Sequence, residues 1–385
     1  MRPAFLAAAG NTRFGQLPGS DPIGLMAQAI DRMLDAARLP RQAIDGVLTG
    51  YATTLPHLML ASLLCERTGL RPAYAHAMQA GGATGAAMLM LARDLVRAGR
   101  CDNVLVVAGE NRASGQTRDI SIGTLAQVGD PDFEVPNGMS VPGYYALLAA
   151  RYLHETGLHE SDLAAFSVAM RAHASRHPDA HLRAPLGLAD VMNSKPIASP
   201  LKLLDCCPIS DGAVALLVSA APRNGSRIWI RGAAQAHRHQ HLSALGALRD
   251  TGAGRCARAA FEEAGLAPAD IDLLGIYDSF TVTLALLLEE TGFAGAGEAA
   301  ARLGAGAFGS DGPQPLNPHG GLLSFGHCGV AGGMAHAAEL WRQLAGTAGP
   351  SQIPGRRHAF LHADGGVMSA HVSLVLSRIE EAVTP

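Results

Sequence analysis

The stretch HAMQAGGATGAAML (76–89) runs glycine and alanine straight into a helical pattern, the kind of junction that aims a nucleophile or cradles an anion, yet it holds no Cys, Ser or Lys. Small residues there let another backbone come close, and the free N–H groups of a helix start attract negative charge. A second junction of this kind, GHCGVAGG (326–333), does carry reactive side chains, His327 and Cys328. A helix start lowers a thiol pKa, which makes Cys328 a candidate nucleophile, with a compact filler of a tight turn as the structural alternative. His327 brings an imidazole suited to carrying a proton near neutral pH, or else a cap for its own helix. Tyr277 and Asp278 begin YDSF (277–280). A phenol with an ordinary pKa near ~10 is a better acid than base and can donate to an oxyanion; a core tyrosine tied to a carbonyl is the alternative. Asp278 suits accepting backbone N–H bonds.

Other groupings promise less. HRHQH (237–241) and His173, His177 and His181 lack acidic or Cys partners at ligand spacing, so they read as exposed loop histidines and no metal is expected. The six cysteines include no CxxC pair, which argues against a zinc knuckle or a disulfide framework, and Cys206 and Cys207 in DCCPISDG read as structural. Arg183 in HPDAHLRAP could pair with an anion.

The elements that must position these groups repeat. ARLPRQAIDGVLTGY (37–51) parallels AGLAPADIDLLGIYD (264–278), AGGATGAAMLMLARDLVRAG (80–99) parallels GHCGVAGGMAHAAELWRQLAG (326–346), and NVLVVAGE (103–110) parallels HAFLHADGGV (358–367). A constant order at similar offsets, on the order of 230 to 250 residues, is the mark of a duplication with drift. Each half alternates strand and helix, which predicts an α/β fold with a mostly parallel sheet covered by helices. Boundaries are expected at 1–111 with 200–222 for the first half, 112–199 for an inserted lid region, and 223–385 for the second half. A chain of 385 residues, 48 % hydrophobic and 16 % charged, is large enough for two such cores. A net charge of −3 and the lack of any dense Lys/Arg run exclude a nucleic-acid surface. No stretch is long enough to span a bilayer, and the apolar run near the N-terminus reads as a strand, so a cytoplasmic protein is expected.

NPHGGLLSFGHCGVAGG (317–333), LLDCCPISDGAVALLV (203–218), DPDFEVPNGMSVPGYYALLAARY (130–152), IYDSFTVTLALLLEETGF (276–293) and HADGGVMSAHVSLVL (362–376) occur in one order along the whole chain. With these motifs the sequence resembles the thiolases, in the sterol-carrier and lipid-transfer branch. The resemblance implies the thiolase fold: two duplicated βαβαβαββ halves in five layers (α-β-α-β-α) with an inserted loop domain. It also implies an acyl-CoA substrate, with coenzyme A as part of that substrate and no covalently bound cofactor. Lined up on the family pattern, the nucleophilic Cys falls at Gly82. The resemblance gives His327 the task of polarising a thioester or ketone oxygen and gives Tyr277 the place of an oxyanion-hole residue. It sets His362 at or beside the family's second Cys, the base for an α-proton. Gly365 and Gly366 would offer N–H donors to an enolate.

Three functions follow from the resemblance. The first is C–C cleavage or formation on an acyl-CoA without a Cys nucleophile, as in retro-aldol cleavage of a β-hydroxyacyl-CoA. The second is an acetyl-CoA C-acyltransferase with its nucleophile moved to Cys328 or with direct attack by CoA. The third is a non-catalytic acyl-CoA-binding or assembly subunit. A homodimer is expected, together with a separate small OB-fold, zinc-ribbon partner covering the CoA site.

Overall fold

A computed structural model describes residues 2–379. The first half runs β1 (Phe5–Asn11), α1 (Pro22–Ala37), β2 (Gly46–Gly50), α2 (Leu60–Thr68), β3 (Tyr74–Met78), α3 (Thr84–Arg97) and β4 (Asn103–Asn111). Then come α4 (Arg118–Ala126), α5 (Val141–Thr156), α6 (Glu160–Ala174), α7 (Leu188–Met192) and the short strands β5 (Pro196–Ala198) and β6 (Leu201–Lys202), before β7 (Asp211–Ser219) returns to the sheet. The second half runs β8 (Ile228–His237), α8 (Ala253–Ala264), β9 (Leu273–Ile276), α9 (Thr281–Glu290), α10 (Ala299–Gly304), α11 (Gly321–Ser324), α12 (Val330–Ala345), β10 (His358–Gly365) and β11 (Ala370–Arg378).

Nine strands form one sheet in the order β3-β2-β4-β7-β1-β8-β11-β10-β9, which reads the same from either end once β8 to β11 are matched to β1, β2, β4 and β7. Within the sheet the two halves are joined by one β1–β8 pair, Phe5 with Trp229. The second half's counterpart of β3 is reduced to one bridge, Leu274 with Leu316. Pro315 and Pro318 flank it and remove the donors a longer ladder needs. The amide of Asn317 stands in, accepting from Ile276 N and donating to Ile276 O at 2.8 Å each.

One expectation is corrected: among the described residues the parallel strand pairs of the sheet are β2–β3, β2–β4 and β9–β10, and the others are antiparallel. The last strand of each half turns back and lies antiparallel between the first and fourth strands.

Helix α1 covers one face of the first half and α8 the matching face of the second, while α3 and α12 lie together between the halves. These are the five layers. Glycines set the closeness: a Cβ on Gly50 of β2 would meet Val330 at 2.7 Å, and one on Gly275 of β9 would meet Leu340 at 2.9 Å. Helix α12 is therefore gripped from both sides, and its residues are almost all buried, as a central helix requires. The middle helices α5 and α6 pack Tyr144, Tyr145, Tyr152, Phe166 and Met170 into the core built on α9. Among the described residues no helix is long and apolar enough to cross a membrane.

Candidate functional site

The site forms where the glycine-rich start of α3, the start of α12 and the ends of β9 and β10 converge. Tyr277 follows β9, and its backbone N–H donates to His362 O at 3.0 Å. His327 precedes α12. A strap made by the DCCPIS segment (205–210) holds both: Cys207 N donates to Ser279 O, His327 N donates to Pro208 O, and Ser210 N donates to His327 O, all at 3.0 Å. The motif that looked structural in the sequence thus ties the His327 backbone to the turn that follows Tyr277. Tyr277 Oη lies 2.9 Å from His327 Nε2.

Burial governs their electrostatics. Loss of water raises the Tyr277 phenol well above its usual range, and the nearby Cys207 and Asp364 add to the rise. The same loss lowers His327 to about 3, with the Arg112 guanidinium pushing in the same direction. At neutral pH the phenol keeps its proton and the imidazole is uncharged, so the geometry fits a phenol O–H donating to a free Nε2.

Gly81 and Gly82 precede α3 and face Asp364, Gly365 and Gly366 at the end of β10. A Cβ on Gly81 would lie 2.7 Å from Gly366 N, and one on Gly365 would lie 2.2 Å from Ala80 O. The backbones of the two halves touch here, and Tyr277 Oη stands beside Gly82. Of the residues singled out in the sequence, the structure brings together Gly82, Tyr277, His327, Gly365 and Gly366.

Three others lie elsewhere. Asp278 turns inward, its carboxylate accepting from Leu322 N at 2.7 Å and Leu323 N at 3.4 Å, with His336 Nε2 at 3.1 Å. His362 is misassigned as a base in the site. Strand alternation puts it with Phe360 on the face toward α8 and α9, whereas Leu361 and Ala363 share the core of α12. Its Nδ1 lies 2.8 Å from Ser373 Oγ and its Nε2 3.1 Å from His371 Nδ1, and burial lowers its pKa well below the usual range. Cys328 is not acidified by its helix start. It is wholly buried, and desolvation, followed by the Glu110 carboxylate, raises its thiol well above the usual value.

The histidines read as exposed also need correcting: His173 and His177 are buried, with His173 Nδ1 2.8 Å from Leu316 O and His177 Nε2 3.5 Å from Glu339. Arg183 is exposed. Among the described residues no three His, Cys, Asp or Glu side chains gather closely enough to hold a metal ion.

Sequence reasoning missed Asp364, Tyr145 and Arg112. Tyr145, stacked on Phe280 at 4.4 Å, donates to Asp364 Oδ2 at 3.0 Å, and burial raises the Asp364 carboxyl well above its usual range. Both residues sit inside quoted motifs, but only the fold shows that they touch. Arg112 follows β4 and is buried, with its Nε 3.6 Å from Glu110. No spacing in the sequence marks it.

A duplicated five-layer α/β fold with a Tyr–His pair between its two glycine-rich turns defines a thiolase-like protein. Residues 234–378 match the thiolase C-terminal domain-like family. The chain is 32 % identical, over 96 % of its length and 98 % of the relative's, to the 17-hydroxy-3-oxo-4-pregnene-20-carboxyl-CoA lyase of Mycobacterium tuberculosis. It is 30 % identical, over 98 % of its length and all of the relative's, to an acetyl-CoA acetyltransferase of Methanothermobacter thermautotrophicus. The solved Ltp2-ChsH2(DUF35) aldolase superposes with a TM-score of 0.86 at 28 % identity, covering 98 % of each chain. The chain belongs to the thiolase superfamily, in its sterol-carrier branch.

Proposed function

We propose that the protein is an acyl-CoA lyase that cleaves a β-hydroxyacyl-CoA by a retro-aldol reaction, with CoA entering as part of the substrate. The observation that carries the reading is the 2.9 Å contact between Tyr277 Oη and His327 Nε2 at a helix start where residue 82 has no side chain. The reaction breaks the Cα–Cβ bond. Its electron pair passes to Cα as a thioester enolate, the β-hydroxyl proton leaves, and a ketone or aldehyde forms. The enolate then takes up a proton to give the shorter acyl-CoA, with no oxidant or thiol consumed.

In this reading Tyr277 accepts the substrate hydroxyl proton as it passes its own to His327 Nε2. The phenol keeps its own proton and could not act as a base alone; the uncharged imidazole in contact offers a free Nε2, and because burial weakens it as a base it hands the proton on to the enolate rather than holding it. The Gly365–Gly366 turn beside Gly81 and the buried Arg112, whose charge is felt at both Tyr277 and His327, are the fixed dipoles and charge offered to the enolate oxygen. His362, facing away, takes no part.

The acyltransferase reading is kept alive by His327 and by the acetyl-CoA acetyltransferase relative. It would need CoA itself as the nucleophile, since Cys328 is buried with a raised pKa. Incubation with a β-hydroxyacyl-CoA without free CoA, and separately with a β-ketoacyl-CoA plus CoA, separates the two by product mass. Cleavage of the hydroxy compound alone supports the lyase; cleavage of only the keto compound would reject it, and silence in both would favour a binding or assembly role.

Two assemblies belong to the proposal. The solved aldolase joins Ltp2 with a second protein, ChsH2(DUF35), which supports a separate OB-fold, zinc-ribbon subunit over the CoA site here. A homodimer is supported by β3, an edge strand whose Ala75, His76 and Ala77 are exposed, since an open edge of small residues suits antiparallel pairing with a second copy.

A further inference from the structure

We propose that Gly82 determines the type of reaction: by having no side chain it yields to the Tyr277 hydroxyl the position that a nucleophile at the start of α3 would need. The inference rests on the lyase reading and names its specificity determinant. A Cβ on Gly82 would fall 2.3 Å from Tyr277 Oη, 2.5 Å from its Cζ and 2.4 Å from the backbone oxygen of Asp364. All three distances are below any real carbon contact. Unlike Gly81, whose φ is +57°, Gly82 does not adopt a left-handed backbone, so space and not conformation demands glycine at this position.

Neither neighbour can step aside. The Tyr277 ring is stacked with His336 at 6.4 Å and approached by Gly333, where a Cβ would come within 3.3 Å of ring atom Cε2. The backbone that carries the Asp364 carbonyl is fixed by the pairing of β10 with β11, where Asp364 lies opposite His371. Any side chain at 82 must displace the phenol, and with it the contact to His327. The family's thiol and this chain's phenol are alternatives for one place beside one imidazole.

The test is a double-mutant cycle with a chemical readout. Gly82→Ala should lower Tm by about 3–6 °C, the scale of an overpacked core, and Tyr277→Phe in that background should regain part of the loss by removing one of the clashing atoms. Gly82→Cys, mixed with acetyl-CoA and weighed intact, should gain no acetyl group. Such an adduct would form a bond from the introduced sulfur to the acetyl carbon and break the acetyl–CoA bond, the thiol proton passing to the CoA sulfur. Additive Tm changes with no recovery would overturn the proposal, as would acetylation of the Gly82→Cys variant with Tyr277 in place. Both readouts are independent of lyase turnover. An inactive parent protein would count against the lyase while leaving this cycle interpretable.

Discussion

The starts of α3 and α12 hold equivalent places in the two halves and have parted in what they carry. The α12 start presents His327 to the site and buries Cys328 behind it; the α3 start presents Gly82 and no side chain. A duplicated fold supplies two facing helix ends with free N–H groups. Only one of them needs a reactive residue once a phenol from β9 reaches the imidazole. The DCCPIS strap explains why that contact is fixed, since it bonds to the backbone of His327 and of Ser279, two residues past Tyr277.

Breaking the contact from the phenol side should have the largest effect. Tyr277→Phe is expected to lower kcat on a β-hydroxyacyl-CoA by about 10²–10⁴-fold, the range for loss of a general acid–base group, with Tm little changed. From the other side, His327→Gln should cost about 100-fold. In the parent enzyme, kcat/KM should show no fall between pH 8 and 5 from His327, because its pKa of about 3 keeps it uncharged there. A limb near the ordinary histidine value would contradict this assignment.

Asp278 sharpens the comparison by testing support without chemistry. Asp278→Asn puts an amide where one carboxylate receives two backbone N–H groups, so urea unfolding should show a loss of about 1–3 kcal/mol. The kcat should drop less than for Tyr277→Phe.

The pH dependence of stability reads the face of the sheet away from the site. Burial lowers His362 well below its usual pKa and His371 to about 4. Unfolded histidines gain protons below about 6.5, so the stability held by these neutral rings is complete above that pH and is lost as pH falls toward the folded values. Buried carboxyls with raised pKa values, Asp278 and Asp364, act with the opposite sign. The informative quantity is therefore the difference in urea midpoint between pH 7.5 and 5.5, which should shrink in His371→Gln. The smallest effect is expected at Cys328: Cys328→Ala should keep kcat within about twofold and cost about 1 kcal/mol of stability by opening a small cavity.

The duplication was legible because it left three paired segments in one order at similar offsets, and each pair lies on matched elements: α1–β2 with α8–β9, α3 with α12, and β4 with β10. Strand direction was not, since alternating strand and helix patterns do not show that β7 and β11 turn back. The site was legible where local motifs hold it, as at Tyr277 and His327. It failed at His362, where one residue of register decides which face of β10 a side chain takes, and Ala363 faces α12 instead. It failed at Cys328, where a helix start predicts acidity but desolvation is larger. Asp364 and Tyr145, 219 residues apart, touch only through the fold.

The most direct test of the lyase reading supplies isotopically heavy free CoA together with a light β-hydroxyacyl-CoA and weighs the acyl-CoA product. Retro-aldol cleavage through Tyr277 and His327 predicts a product that keeps its original light CoA. Heavy CoA in the product would mean that the thioester bond is remade during turnover, and would contradict that chemistry.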